Sequence, residues 1–165
     1  MGSVGTAGSA EPSGGSRHLR SKERRELQRA RRLAVDILYQ ADITGEPPAD
    51  VVASWRAAGR GVPTHTDHLV DGVTSSLERV DALLGEHSEG WVVSRMSVVD
   101  RAILRTAVFE LLDGIPAAIA INEAVEAAES LSTEASGRFV NGVLGAIARA
   151  LDSAEPLQEP GGTAP

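Results

Sequence analysis

The stretch SVVDRAILRTAVFELL, Ser97 to Leu112, places Val99, Ala102, Ile103, Ala107 and Leu111 at the spacing of one face of an α-helix. Val98, Leu104 and Val108 widen that face beyond what a surface helix needs, so other helices must cover the segment on two sides. Its ends are legible. Ser97 with Asp100 three residues on is a capping-box-like start: the hydroxyl accepts from an orphan backbone N–H, and the carboxylate sits near the positive end of the helix dipole. Asp113-Gly114 offers a glycine for the left-handed C-terminal position, and Pro116 cannot continue the turn. A helix walled on two sides requires a bundle around it.

The rest of the chain supplies that bundle. A length of 165 residues suits one domain. Aromatic residues are few and no alternating β-branched run is long enough for a strand, so the class is all-α. A helix is expected from Ser21 to Thr44, with Leu27, Ala30, Ala34, Ile37, Leu38 and Ala41 inward and Gly45 and Pro47-Pro48 as its stop. Asp50 to Ala58 reads as a short helix burying Val51, Val52 and Trp55. Thr64 to Leu84 reads as one long helix burying Leu69, Val73, Leu77, Val80 and Leu84. These three make a first subdomain, joined to the second by an apolar turn at Trp91, Val92 and Val93. After the central helix, Ala118 to Leu131 should bury Ile121, Ala124, Val125 and Ala128, with Glu123, Glu126 and Glu129 mostly outward; Ala135 to Leu151 should bury Val140, Val143, Leu144, Ile147 and Leu151. Glycine costs a helix about 1 kcal/mol against alanine, so Gly142 and Gly145 imply a helix passing close by. Asn122 and Asn141 are expected to be partly buried and hydrogen-bonded. The Gly/Ser/Ala-rich residues 1–19 and the Pro/Gly-rich residues 154–165 should be disordered tails flanking a folded 20–153.

Net charge is −7, and its distribution matters more than its sum. Residues 17–32 carry +6, leaving −13 on the remainder, so an acidic body wears one basic arm. A solvated charged face is the ordinary explanation of a charge run. Here arginine outnumbers lysine, and a guanidinium binds phosphate in bidentate fashion and stacks on bases, which favours contact with nucleic acid.

Other chemistries are excluded or unsupported. No cysteine is present, so there is no disulfide, thiolate metal site or cysteine nucleophile. No apolar run approaches the roughly 18 residues of a membrane span and no signal core precedes the domain, so a soluble cytoplasmic protein without membrane contact is expected. His65, Asp67 and His68 do not complete a metal ligand set and read as a polar helix start. No phosphate loop, nucleophile elbow or cofactor motif occurs, so no enzyme, metal or cofactor is expected.

Four stretches go further. RARRLAVDILYQAD (Arg29 to Asp42), VVDRAILRTAVFELL (Val98 to Leu112), IPAAIAINEAVEAAESLS (Ile115 to Ser132) and GRFVNGVLGAI (Gly137 to Ile147) resemble, in order, the bacterial transcription antitermination factor NusB family. AINEAVE and RFVNGVL are the most specific pieces, and the resemblance spans Arg20 to Leu151. It implies an all-α bundle of two packed helical subdomains without enzymatic activity. It further implies pairing with NusE, a small-subunit ribosomal protein, and binding of single-stranded boxA RNA in ribosomal RNA leaders. Other Nus factors and RNA polymerase would join that complex to prevent premature termination. For RNA the resemblance implicates Arg24, Arg25, Arg29, Arg31, Arg32 and Tyr39. For the protein partner it implicates Asp100 and Phe139, the latter equally explained as core. Family members often carry an acidic residue directly before the serine of this segment; here the run is Glu134-Ala135-Ser136, which either weakens the partner surface or shifts it onto Glu134. Two alternatives stay open: the RNA-docking domain of a ribosomal RNA cytosine methyltransferase, and a homodimer that covers the arginine arm.

Overall fold

The computed structural model of the protein describes residues 14–154. Among the described residues there are seven α-helices and no strand: α1 (Gly14–Thr44), α2 (Pro48–Ala57), α3 (Thr64–Ser75), α4 (Leu77–His87), α5 (Val98–Leu112), α6 (Ala117–Leu131) and α7 (Glu134–Ala154). A single 3-10 turn, Val93–Arg95, leads into α5. As its wide apolar arc requires, α5 packs against α1, α3, α4, α6 and α7. Ala102, Ile103, Leu104, Ala107 and Val108 are fully enclosed between them. Ser97 caps α5, its hydroxyl accepting from the Asp100 N–H at 3.2 Å, and Gly114 ends the helix with φ +88°. None of the helices is long and apolar enough to cross a membrane.

Several expectations are corrected. The helix expected from Ser21 is already under way at Gly14. The tail expectations for 1–13 and 155–165 lie outside the described residues. Leu27 is exposed rather than inward, since this part of α1 runs past the core. The single helix expected over Thr64 to Leu84 is two helices, broken at Ser76 (φ −107°, ψ 12°). There the Thr74 and Ser75 hydroxyls turn back onto the Val70 and Asp71 carbonyls, each at 2.8 Å, competing with the helix ladder as serine and threonine do. The break carries α4 onto α5 and α7, so it belongs to the second half of the bundle, and Leu77 is left exposed.

The close helix approaches also fall elsewhere. A Cβ on Gly142 would meet open space, and one on Gly145 only the end of the Arg149 side chain. The tight glycines are Gly137, where a Cβ would sit 2.7 Å from Glu129 Cγ, and Gly72, where it would run into the Phe109 ring. Phe109 is buried, so its ring has little room to yield. Gly72→Ala is therefore expected to destabilise the fold by about 1–3 kcal/mol, the usual range for overpacking, although alanine is the better helix former. Chemical denaturation measures it; a stability gain would place the ring elsewhere in solution. Asn122 and Asn141 are both exposed, so the expected buried amides do not exist and neither residue anchors the core.

Candidate nucleic-acid interface

Arg25, Arg29, Arg32, Asp36 and Tyr39 recur at steps of four and three residues, which places them along one face of α1. The three arginines are exposed and enter no ion pair among the described residues. Tyr39 is 41% exposed. Arg24 sits at the edge of this face with its side chain 63% exposed, 3.8 Å from Glu123, a loose surface pair that leaves its charge available.

Arg31 differs from its neighbours in the expected RNA-contact set: it is paired inside the protein. One turn of helix separates Arg31 from Ala34, so it faces inward toward α5 rather than outward with Arg32. Its Nε donates to Glu110 Oε1 at 3.1 Å and Oε2 at 2.9 Å, and the side chains are only 13% and 4% exposed. Burial pushes the Glu110 carboxyl above its ordinary value, opposed in part by Arg31. Arg31 thus neutralises a buried acid. The sequence signal for this pairing is Glu110 itself, a carboxylate inside the widest apolar arc of the chain. Glu123 is likewise turned inward rather than outward, accepting from Gln28 Nε2 at 3.2 and 3.0 Å and tying α6 to α1.

Sequence reasoning missed Arg60. Gly59, at φ +78°, reverses the chain after α2, and the Arg60 N–H donates to the Trp55 carbonyl at 2.9 Å. That turn folds the guanidinium over the Trp55 ring, 3.3 Å from its centroid. Trp55 is itself fixed, with Nε1 donating to Gln40 Oε1 at 2.9 Å. Arg60 therefore joins the arginine face beside Asp36 and Tyr39. Burial raises the Asp36 carboxyl above the usual aspartate value, against the pull of Arg32 and Arg60.

The residues expected at a protein interface separate. Asp100 is only 9% exposed, and its Oδ2 accepts from the Ser136 hydroxyl at 3.1 Å, joining the first turn of α5 to that of α7. It is buried because the capped start of α5 lies beneath the start of α7. Glu134 is exposed at the first position of α7. Phe139 is half-buried against the core, with its ring centroid 5.8 Å from that of Trp91, which is 55% exposed.

His68 Nε2 lies 2.7 Å from Asp113 Oδ2, and no grouping of ligands suited to a metal occurs among the described residues. His65 stacks on His68, and its pKa is lowered from 6.5 by burial first, then by the Arg31 and His68 charges. A histidine depressed in the folded state contributes stability that is present above about pH 6.5 and is lost as pH falls through its lowered value. The wild-type protein should accordingly lose melting temperature relative to His65→Gln on acidification from pH 7 to 5. Parallel profiles for the two would remove His65 from the pH response.

The NusB family profile matches residues 28–149. Over 126 residues the chain is 51% identical to the transcription antitermination protein NusB of Saccharopolyspora erythraea, covering 73% of this chain and 84% of that protein. NusB of T. maritima superposes with a TM-score of 0.67 at 33% identity, over 74% of this chain and 90% of that one. A crystal structure of the antitermination factors NusB and NusE in complex with dsRNA superposes with a TM-score of 0.65 at 28% identity, over 74% of this chain and 96% of that one. These relatives are antitermination factors rather than enzymes. With its fold, its most specific motifs and the profile match in agreement, the chain belongs to the NusB family.

Proposed function

We propose that this protein is a cytoplasmic antitermination factor that binds boxA-type single-stranded RNA of ribosomal RNA leaders together with NusE, and that the complex acts with other Nus factors on RNA polymerase. The observation that carries the reading is the row of exposed, unpaired Arg25, Arg29 and Arg32 on α1, leading to an exposed Tyr39, on a chain whose remainder is strongly acidic. Phosphate neutralisation supplies affinity and the aromatic supplies a stacking surface for an unpaired base. Arg24 contributes at the edge. Glu134 and Phe139, with Trp91 beside it, offer the acidic and aromatic groups for the basic protein partner.

Filter binding of boxA-type RNA across a salt series tests the reading, with a duplex of the same sequence as comparison because the related complex contains dsRNA. Salt-sensitive binding that favours the single strand is the expected result; preference for the duplex would overturn the single-strand assignment. Phosphate contacts position a protein without reading sequence, so neither the arm nor a small acidic surface is selective alone. If RNA is held by both proteins at once, each ligand strengthens the other by the same factor, about 1–3 kcal/mol in ordinary linkage. Calorimetric titration of NusE into this protein with and without boxA RNA measures that coupling. Equal NusE affinities in the two titrations would leave only independent binding.

A further inference from the structure

A pocket of about 350 Å³ opens on the arginine face, lined by Asp36, Tyr39, Gln40, Ile43, Trp55 and Arg60. That volume falls among small-ligand sites, which run from about 300 to 1,000 Å³. We propose that this pocket takes one unstacked guanine base of the RNA strand held by the α1 arginines. The proposal rests on the RNA-binding reading above and adds a base preference to it.

Position comes first. Tyr39 lies two turns beyond Arg32 on the same face, about 10 Å along the helix at 1.5 Å per residue. A strand whose phosphates follow Arg25, Arg29 and Arg32 is thus delivered to the pocket mouth. Two aromatic residues line the pocket, and only one is free. Trp55 is buried, hydrogen-bonded through Nε1 and covered by Arg60, whereas Tyr39 presents an exposed ring on which a base can stack.

The polar pattern then selects the base. A carboxylate on a phosphate-binding face is costly unless it has another use, and here Arg32 and Arg60 flank Asp36 and offset its charge toward RNA. An ionised carboxylate only accepts hydrogen bonds. Gln40 must turn its carbonyl to Trp55, because indole N–H only donates, so its amide nitrogen remains as a donor. The pocket therefore offers two acceptor oxygens from Asp36, with a donor from Gln40 and the Arg60 guanidinium nearby. Guanine carries the matching set on its Watson–Crick edge: two adjacent donors, N1–H and the N2 amine, next to the O6 acceptor. Adenine reverses the order, and uracil has a single donor between two acceptors. Ile43 supplies an apolar wall to the pocket.

Fluorescence anisotropy with the full chain tests this, using short labelled oligouridylates that carry one central guanosine, inosine or adenosine, or none. The guanosine oligomer is expected to bind about five- to a hundredfold more tightly than the adenosine or plain oligomer, the usual discrimination of a bidentate base contact. Inosine, which lacks the N2 amine, should lose most of that advantage. Asp36→Asn should bring the guanosine oligomer to the level of the plain oligomer measured on the same variant, and Tyr39→Ala should weaken all four at least about fivefold. Equal affinities for the four oligomers, with strong salt dependence, would overturn the guanine pocket and leave the arginine face standing. A guanosine preference that survives Asp36→Asn would overturn the role of Asp36. Absence of salt-sensitive binding to any of them would overturn both readings.

Discussion

Replacing Arg31 with methionine is expected to destabilise the fold by about 3–5 kcal/mol, the range for removing one partner of a buried ion pair. The Glu110 carboxyl, 4% exposed, would lose the cation bonded to it and would have to hold an uncompensated buried charge or take up a proton. A domain of this size has only about 5–15 kcal/mol in total, so a large fall in melting temperature should follow. Two further measurements separate this from general disruption. Glu110→Leu in the Arg31→Met background should recover most of the loss, because two charges then no longer need to be desolvated and the replacements are of similar volume. Acidification should also narrow the gap between Arg31→Met and wild type. A carboxyl raised in the folded state contributes stability that is full below its ordinary value of 4.5 and is lost as pH rises through the raised value, and removing Arg31 removes what opposed that loss. Folded Arg31→Met should bind RNA as the wild type does. A variant of unchanged stability with weakened RNA binding would return Arg31 to the arginine face.

The triple variant Arg25→Ala, Arg29→Ala, Arg32→Ala is expected to do the reverse. All three side chains are exposed and unpaired, so stability should move little, within the small range typical of surface substitutions. RNA affinity should fall steeply, and the salt dependence should fall with it. On single strands the slope of log affinity against log salt is about 0.7 per neutralised phosphate, so three lost contacts should reduce it by about 2. Because phosphates carry no sequence information, the loss should be similar for boxA-type and unrelated single strands at matched salt. An unchanged slope would show that the strand lies elsewhere. A slope reduced by a single contact would mean that it follows only part of the row.

Much of this was written in the sequence. The apolar arc of Ser97 to Leu112, its serine cap and its glycine stop required a helix covered on two sides, because helical spacing and capping are properties of neighbouring residues. The segregation of charge onto residues 17–32 marked the basic arm without reference to any contact. Tertiary structure decided which of those arginines are free. A run of Arg24, Arg25, Arg29, Arg31 and Arg32 is uniform in charge, and only the position of Glu110 on α5 singles out Arg31 as a buried partner. Arg60 was invisible for the opposite reason: it is distant in sequence from the arm and reaches it through a glycine turn that folds it over Trp55. The same distinction explains Asp100, which reads as an exposed helix-start acid until α7 covers it, and the break at Ser76, where local hydroxyl bonds outweigh a helical pattern that continues on either side. Period, caps and net charge are fixed by residues a few positions apart. Burial and pairing depend on which distant helix lies opposite, and that only the packed chain specifies.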